Sequence, residues 1–333
     1  AVKVLKLPER GQAANASAEE VLKRKVQDVM NDFVAEVEVC CDLNHPNLAR
    51  LLGYSEQPKL MMVQELLQSS VDRALYVDMW QPTHDQVLKS ALDVARGMDY
   101  LHTAFQKQSG NHTQPIIHRD LKPANIFLAA NGCVKLGDLG LGRAFSSQTY
   151  EALSKVGTPL YMSPEVLDGR GYEWKSDVWS LGSLLYELAT LRSPFKSDGE
   201  NKDNLYTLFK KISVGTFKQL PETYSSALSQ LVGRMIQTDP TLRPDIQSTL
   251  DAASKALAAL EAQKAREALR EGSGEEETAA AALLAALAPS PAALLPRLAE
   301  LPSASALAAL AAGNADSQEE IAGGGGVEAL VAL

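Results

Sequence analysis

Chemistry in this chain is concentrated in His118 to Asn125, HRDLKPAN, and in Leu136 to Gly140, LGDLG. The first string supplies an acid, Asp120, a lysine, Lys122, and an amide, Asn125; the second adds another acid, Asp138. This set suits the movement of a phosphoryl group. Asp120 would accept the proton of a substrate hydroxyl, and Lys122 would steady the transferring phosphate. Asn125 and Asp138 would hold the magnesium ions that neutralise its developing charge. The reaction asks for positioning and electrostatics more than covalent chemistry, so a fixed cluster of this kind is most of what it needs.

In order and length the string resembles a eukaryotic protein kinase, and Lys122 beside Asp120 is the Ser/Thr-class pattern. The run GDLGLGRAFSS…SKVGTPLYMSPE, up to Glu165, resembles the NIMA-related kinases, especially their short members. Leu139 stands where D-F-G has Phe, a departure that family shares. The resemblance implies ATP and Mg²⁺ as cofactors, serine or threonine of proteins as acceptors, and microtubule, cilium or cell-cycle partners. It makes Ser154 the activating phosphorylation site, with Ser146, Ser147 and Thr149 competing for that role. Arg119 would grip the added phosphate, because a guanidinium fork matches phosphate oxygens. Thr158 would sit near Asp120 and Lys122 and help form the substrate platform, while His118 would pack as part of an internal spine.

Other elements must position these groups. Ala1 to Leu5 reads as a short buried strand around Lys3, similar to the kinase strand whose lysine reaches the α- and β-phosphates of ATP. Glu19 to Leu43 has helical character, with Phe33, Val37 and Cys40 or Cys41 at three- and four-residue steps. Glu36 lies on it at the place where the family pairs a glutamate with the strand lysine, in a register set by LNHPN, Leu43 to Asn47. Read without the family, Lys3 is a strand-edge lysine and Glu36 one solvated acid among Glu36, Glu38 and Asp42. Leu60 to Val63 is an apolar strand. By resemblance Gln64 after it is the gatekeeper, and the backbone of Glu65 to Leu67 is the hinge that binds adenine. A helical stripe runs from His84 to Leu101, followed by an exposed polar insertion, Thr103 to Pro115, in which His112 is a surface residue. Ile126 to Leu128 and Val134 to Leu136 flank a turn at Asn131-Gly132, predicting a hairpin. By family pattern Glu165 pairs with Arg243 in T-L-R-P-D, and Asp177 braces the catalytic-loop backbone.

The whole chain, 333 residues with 45% hydrophobic and 22% charged residues, has room for one large two-lobed domain and an appendage. A net charge of −9 argues against nucleic-acid binding. No apolar run is long enough to span a bilayer, and Pro289, Pro291, Pro296 and Pro302 interrupt the Ala/Leu stretch from Thr278. Cys40, Cys41 and Cys133 lack metal-ligand spacing. The first two are expected as buried thiols on or near a helix, and the sparse count fits a reducing compartment. The expected location is the cytoplasm, extending to cytoskeleton, cilium or nucleus.

The expected fold is α+β: a two-lobed protein kinase whose upper lobe starts at the Lys3 strand, then an all-α armadillo-like tail. Its divisions are 1–66 for the upper lobe, 67–250 for the lower lobe, 251–277 for a helical and acidic linker, and 278–333 for the tail. Ala306 to Leu333 resembles the end of one armadillo repeat and the start of the next, which implies a docking surface for a protein partner. A low-complexity helical tail is the other reading. The chain opens on Ala1 and stops within a helical pattern, so a piece of a longer protein is expected. No G-x-G-x-x-G-x-V precedes Lys3 in this sequence. That leaves open a pseudokinase or scaffold whose armadillo-like segment docks partners.

Overall fold

Lys3 sits in the middle of strand β1 (Val2–Val4), which pairs antiparallel with β3 (Met61–Gln64). On its other side β3 pairs with β2 (Leu51–Ser55), so the sheet order is β1-β3-β2. The register sets Lys3 opposite Met62. Successive side chains on a strand point to opposite faces, so Lys3 and the fully buried Met62 share the covered face. Val2 and Val4 face outward, 60% and 48% exposed. The expectation of a buried strand is thereby corrected: the lysine is drawn in and its apolar neighbours are not, because only one face of this sheet is covered.

The cover is helix α1 (Ala16–Asp42). Its Val29, Met30, Phe33 and Val37 recur at helical spacing and pack with Leu5, Leu51, Leu60 and Met62. This stripe carries Glu36 toward Lys3 one residue before Val37. Cys40 continues the stripe and is half-buried, but Cys41 lies about 100° further round the helix and is exposed. The expectation of two buried thiols therefore fails for Cys41. Burial pushes the Cys40 thiol up to about 12, so it stays protonated at neutral pH.

The computed structural model describes residues 1–5, 16–57, 59–104, 116–139, 159–196 and 205–271. A second sheet has the order β4 (Ser69–Ser70), β5 (Ile126–Leu128), β6 (Val134–Leu136), all antiparallel. The β5–β6 hairpin turns at Asn131-Gly132, as its sequence predicts. Gly132 takes φ +78°, and the Asn131 side chain accepts from the Cys133 N–H at 3.0 Å. Ser70 caps helix α2 (Val71–Tyr76) by accepting from the Arg73 N–H. Helix α3 (His84–Asp99) starts in a capping box at Thr83 and buries Val87, Leu88, Ala91, Leu92, Val94, Ala95 and Met98. Gly97 lets α3 lie against β6: a Cβ there would fall 2.4 Å from Leu136 Cδ1.

Helices α4 (Pro164–Leu167), α5 (Trp174–Thr190), α6 (Leu205–Val214) and α7 (Ser226–Met235) build the rest of the lower lobe. α5 is buried from Ser176 to Leu188, so its few polar side chains must find partners inside the protein. Helix α8 (Ile246–Glu271) runs unbroken through residue 250. The division expected at residue 250 falls within this helix, whose later part is the start of the stretch expected as a helical linker. By contacts the chain divides into two units, Ala1–Ala253 and Ser254–Leu333. The armadillo-like stretch 278–333 lies outside the described residues. Among them, no helix is long and apolar enough to cross a membrane.

Candidate active site

Asp177, at the start of α5, fixes the backbone of the HRD loop. It is fully buried, and its carboxylate accepts the His118 N–H at 2.9 Å and the Arg119 N–H at 3.1 Å. Tyr172 donates its hydroxyl to the same carboxylate at 2.8 Å, and His102 Nε2 lies 3.2 Å from it. These contacts hold Arg119 at φ +66°, a conformation rare for any residue but glycine. Burial would raise the Asp177 carboxyl, but the hydrogen bond and charge of His102, with His118 behind, bring it below its ordinary value. His118 is itself buried, its Nε2 is 3.0 Å from the Gly137 carbonyl, and burial lowers its pKa. A neutral, enclosed imidazole of this kind packs and exchanges no proton with substrate.

Two residues beyond His118, the Asp120 carboxylate receives two donors. Lys122 Nζ lies 2.9 Å from Oδ2, and Asn125 Nδ2 donates to the same oxygen at 2.6 Å and to the Asp120 carbonyl at 2.8 Å. Asn125 closes a 3₁₀ turn, Pro123–Asn125, and its backbone carbonyl accepts the Gly137 N–H at 2.9 Å. That bond ties the Asp120 end of the site to the turn carrying Asp138. Asp138 Oδ1 is 3.0 Å from Lys3 Nζ, and Lys3 Nζ is 3.4 Å from Glu36 Oε1. Three separate stretches of chain therefore meet through the Lys3, Glu36 and Asp138 side chains, and the fourth, Asp120 to Asn125, joins them through the backbone bond to Gly137. Burial opposes the Lys3 charge, but Glu36 and Asp138 outweigh it and raise its pKa, keeping the ammonium charged. Burial pushes the Glu36 carboxyl up against the pull of Lys3.

Beside the upper sheet the chain passes from Gln64 to Leu67. Here the Glu65 carboxylate receives Lys135 Nζ at 2.7 and 2.8 Å and the Arg50 N–H at 2.8 Å. The Glu65 N–H donates to the Arg50 carbonyl at 3.0 Å. Among the described residues no hydrogen bond uses the Glu65 carbonyl or the Leu67 N–H, the acceptor and donor that an adenine edge would need. Arg119 has a buried Nε without a hydrogen-bond partner among the described residues. Ser154 and Thr158 lie outside them. At the far end of the loop, Glu165 and Arg243 form a two-pronged ion pair at 2.7 and 2.8 Å.

The donor set fits magnesium brought in with a nucleotide. Among the described residues there is no cluster of three or more His, Cys, Asp or Glu side chains that could cage a metal. Mg²⁺ ordinarily takes one or two protein oxygens and completes its shell with phosphate and water. Asp138 offers a carboxylate, and Asn125, whose nitrogen is committed to Asp120, offers its amide oxygen.

Residues 3–253 match the protein kinase domain family. The chain belongs to the protein kinases. It is 37% identical over 242 residues to mouse "Serine/threonine-protein kinase Nek2", covering 70% of this chain and 52% of that one. To the human Nek2 it is 36% identical over 226 residues, covering 66% and 48%. To a probable nek3 kinase of Dictyostelium discoideum it is 45% identical over 140 residues, covering 41% and 12%. The chain thus spans about half the length of the Nek2 proteins it matches. The mixed α and β content of the described residues agrees with the kinase fold.

Three residues of this kinase site, Tyr172, His102 and Lys135, are not marked out by the sequence. Tyr172 and His102 meet the two different oxygens of Asp177, and neither stands at a spacing that singles it out. His102 merely ends an apolar helical stripe. In the sequence Lys135 is simply the middle of a hairpin strand. The alternation of Val134, Lys135 and Leu136 does predict a side chain on the opposite face, and that face meets Glu65.

Proposed function

We propose that this protein is a serine/threonine kinase of the NIMA-related type, moving the γ-phosphoryl of Mg-ATP to protein hydroxyls. The observation that carries the reading is the Lys3 ammonium, within reach of both Glu36 and Asp138. A positive charge held between the upper-lobe helix and the metal-binding turn is what the α- and β-phosphates of a nucleotide require. The relatives, named as serine/threonine kinases, support the acceptor class. Bound Mg-ATP supplies the phosphoryl donor and the neutralising cation. The chain's own groups do the rest: Lys3 and Glu36 orient phosphates, Asn125 and Asp138 offer metal ligands, and Lys122 steadies the moving group. Asp120 takes up the acceptor's proton.

Transfer of label from γ-labelled ATP to a generic protein such as casein tests this. Lys3→Met should lower the rate by about 10²-fold, the usual consequence of deleting one preorganised electrostatic contact. Equal labelling by the two proteins would sink the proposal.

Regulation and partners are proposed on the resemblance. Phosphate on Ser154 would add nearly two negative charges, which the buried Nε side of Arg119, without a hydrogen-bond partner among the described residues, is suited to receive. Ser154→Ala should lower activity on the order of tenfold, equivalent to one charge-assisted hydrogen bond. Undiminished activity, with loop phosphate mapped to Ser146, Ser147 or Thr149, would assign the switch elsewhere. The Ala/Leu-rich tail would dock a protein partner, in a microtubule, cilium or cell-cycle setting.

A further inference from the structure

Glu187, toward the end of α5, is a carboxylate with no part in the phosphoryl chemistry, yet it is only 3% exposed. Both of its oxygens are taken by tyrosines. Tyr76 of α2 donates its hydroxyl to Oε1, and Tyr161 donates to Oε2 at 2.5 Å. Burial pushes the Glu187 carboxyl up against the pull of the two hydroxyls, with Asp72 adding to the rise. An apolar side chain would fill a packing role at this depth without the desolvation cost. The three-way contact therefore calls for a use.

Its members sit on elements that lead to opposite ends of the site. α2 follows directly on Ser70, the strand residue paired with Phe127, two residues beyond Asn125. Tyr76 departs from the buried face of α2, which carries Val71, Ala74 and Leu75, and is half exposed. Its hydroxyl is nonetheless turned inward to Glu187. Tyr161 lies three residues after Thr158, which the kinase resemblance places in the platform for the acceptor protein, and four before Glu165. Its carbonyl accepts Ser180 Oγ of α5 at 2.8 Å, so backbone and ring of Tyr161 are both anchored to α5.

We propose that Tyr76 is a positioning residue for the protein substrate. By fixing one oxygen of Glu187 it aims the other at Tyr161, and so holds residues 159–163 where the acceptor peptide docks. Without the Tyr76 hydroxyl, Oε1 loses its donor in a nearly dry site. The carboxylate must then turn toward solvent, and Tyr161 loses a fixed acceptor. The effect should fall on protein binding and not on the nucleotide, which Lys3 and Asp138 would hold, with Glu36 fixing Lys3.

The inference rests on the kinase reading above, and the test separates the two. Initial rates are measured for the full chain with casein and with ATP as the varied substrate. Tyr76→Phe should raise the KM for the protein roughly three- to tenfold, a part of what one hydrogen bond to a charged group sustains. The KM for ATP should stay near wild type, and the melting temperature should fall by no more than the few degrees that one stranded acceptor costs. Tyr161→Phe should do the same, and the double variant should be no worse than either single, as expected of residues acting through one carboxylate. An unchanged protein KM in Tyr76→Phe, a parallel rise in both KM values, or additive effects in the double variant would each overturn the positioning role. Wild-type protein that binds ATP but transfers nothing would overturn the kinase reading and this inference with it.

Discussion

Asp120→Asn is expected to slow phosphoryl transfer to protein by about 10²–10⁴-fold, the range for losing one general acid–base group. The replacement keeps the volume of the side chain but removes its charge and its ability to take a proton. It also disturbs the local bonding. Both Lys122 and Asn125 donate to the Asp120 carboxylate, at 2.9 and 2.6 Å to the same oxygen. An amide offers one oxygen and one NH₂. With its oxygen in the shared position both donors keep an acceptor, now uncharged, and only the 3.2 Å contact of Lys122 to the other oxygen meets a nitrogen; turned the other way, both donors meet a nitrogen. The phosphate- and metal-facing groups Lys3, Glu36 and Asp138 are unaltered by the substitution, so ATP affinity should hold within about twofold. Initial rates at saturating ATP, paired with titration of a fluorescent ATP analogue, check both halves. A variant within threefold of wild-type rate would remove Asp120 from the chemistry.

The cluster was legible because phosphoryl transfer needs several groups at short sequence spacing, so HRDLKPAN and GDLG carry most of it without reference to distant chain. The Lys3–Glu36 contact spans 33 residues and was reachable only because the LNHPN segment fixes where on the helix to look. Contacts of larger separation with no such marker were out of reach. Tyr76 and Glu187 are 111 residues apart, and each alone reads as ordinary surface or core. Burial was the other blind spot. Val2 and Val4 are apolar and flank a lysine, which on pattern alone suggests an enclosed strand. Exposure depends on whether a sheet face is covered, and that is decided by α1, which packs on one side only. For Cys40 and Cys41 the pattern allowed either thiol on the stripe, and helix geometry admits only one. Beyond residue 250 the Ala-rich sequence is strongly helix-forming, and α8 continues through it to Glu271.

Arg243→Leu is expected to destabilise the kinase domain by about 3–5 kcal/mol, the range for breaking one side of a buried ion pair. Arg243 is 2% exposed, and its Nη1 and Nη2 meet the two oxygens of Glu165 at 2.7 and 2.8 Å. Its Nε and Nη1 also donate to the carbonyls of Gln237 and Lys175 at 2.7 and 2.9 Å, and its guanidinium lies 5.1 Å from the Trp179 ring. Truncation leaves a buried carboxylate without its cationic partner, Ser176 still donating to it at 2.8 Å, and the Gln237 and Lys175 carbonyls without their Arg243 donors. The pair also sets a pH dependence. Burial alone would raise the Glu165 carboxyl, but the hydrogen bonds and charge of Arg243 pull it down to about 2. A folded-state pKa below the unfolded value means that the unfolded chain binds the proton more readily. The contribution is therefore complete above about pH 4.3 and is lost as pH falls toward 2. Its size is on the order of 3 kcal/mol. Urea unfolding of wild type and Arg243→Leu should show their largest difference at neutral pH, narrowing through that acid window. Replacing both partners, Glu165→Leu with Arg243→Leu, should cost less than the sum of the single changes, because neither charge is then stranded. Equal stability of Arg243→Leu and wild type at neutral pH would show that the pair is dispensable to the fold. A difference that stays constant down to pH 2 would mean that Glu165 is not the group Arg243 holds ionised.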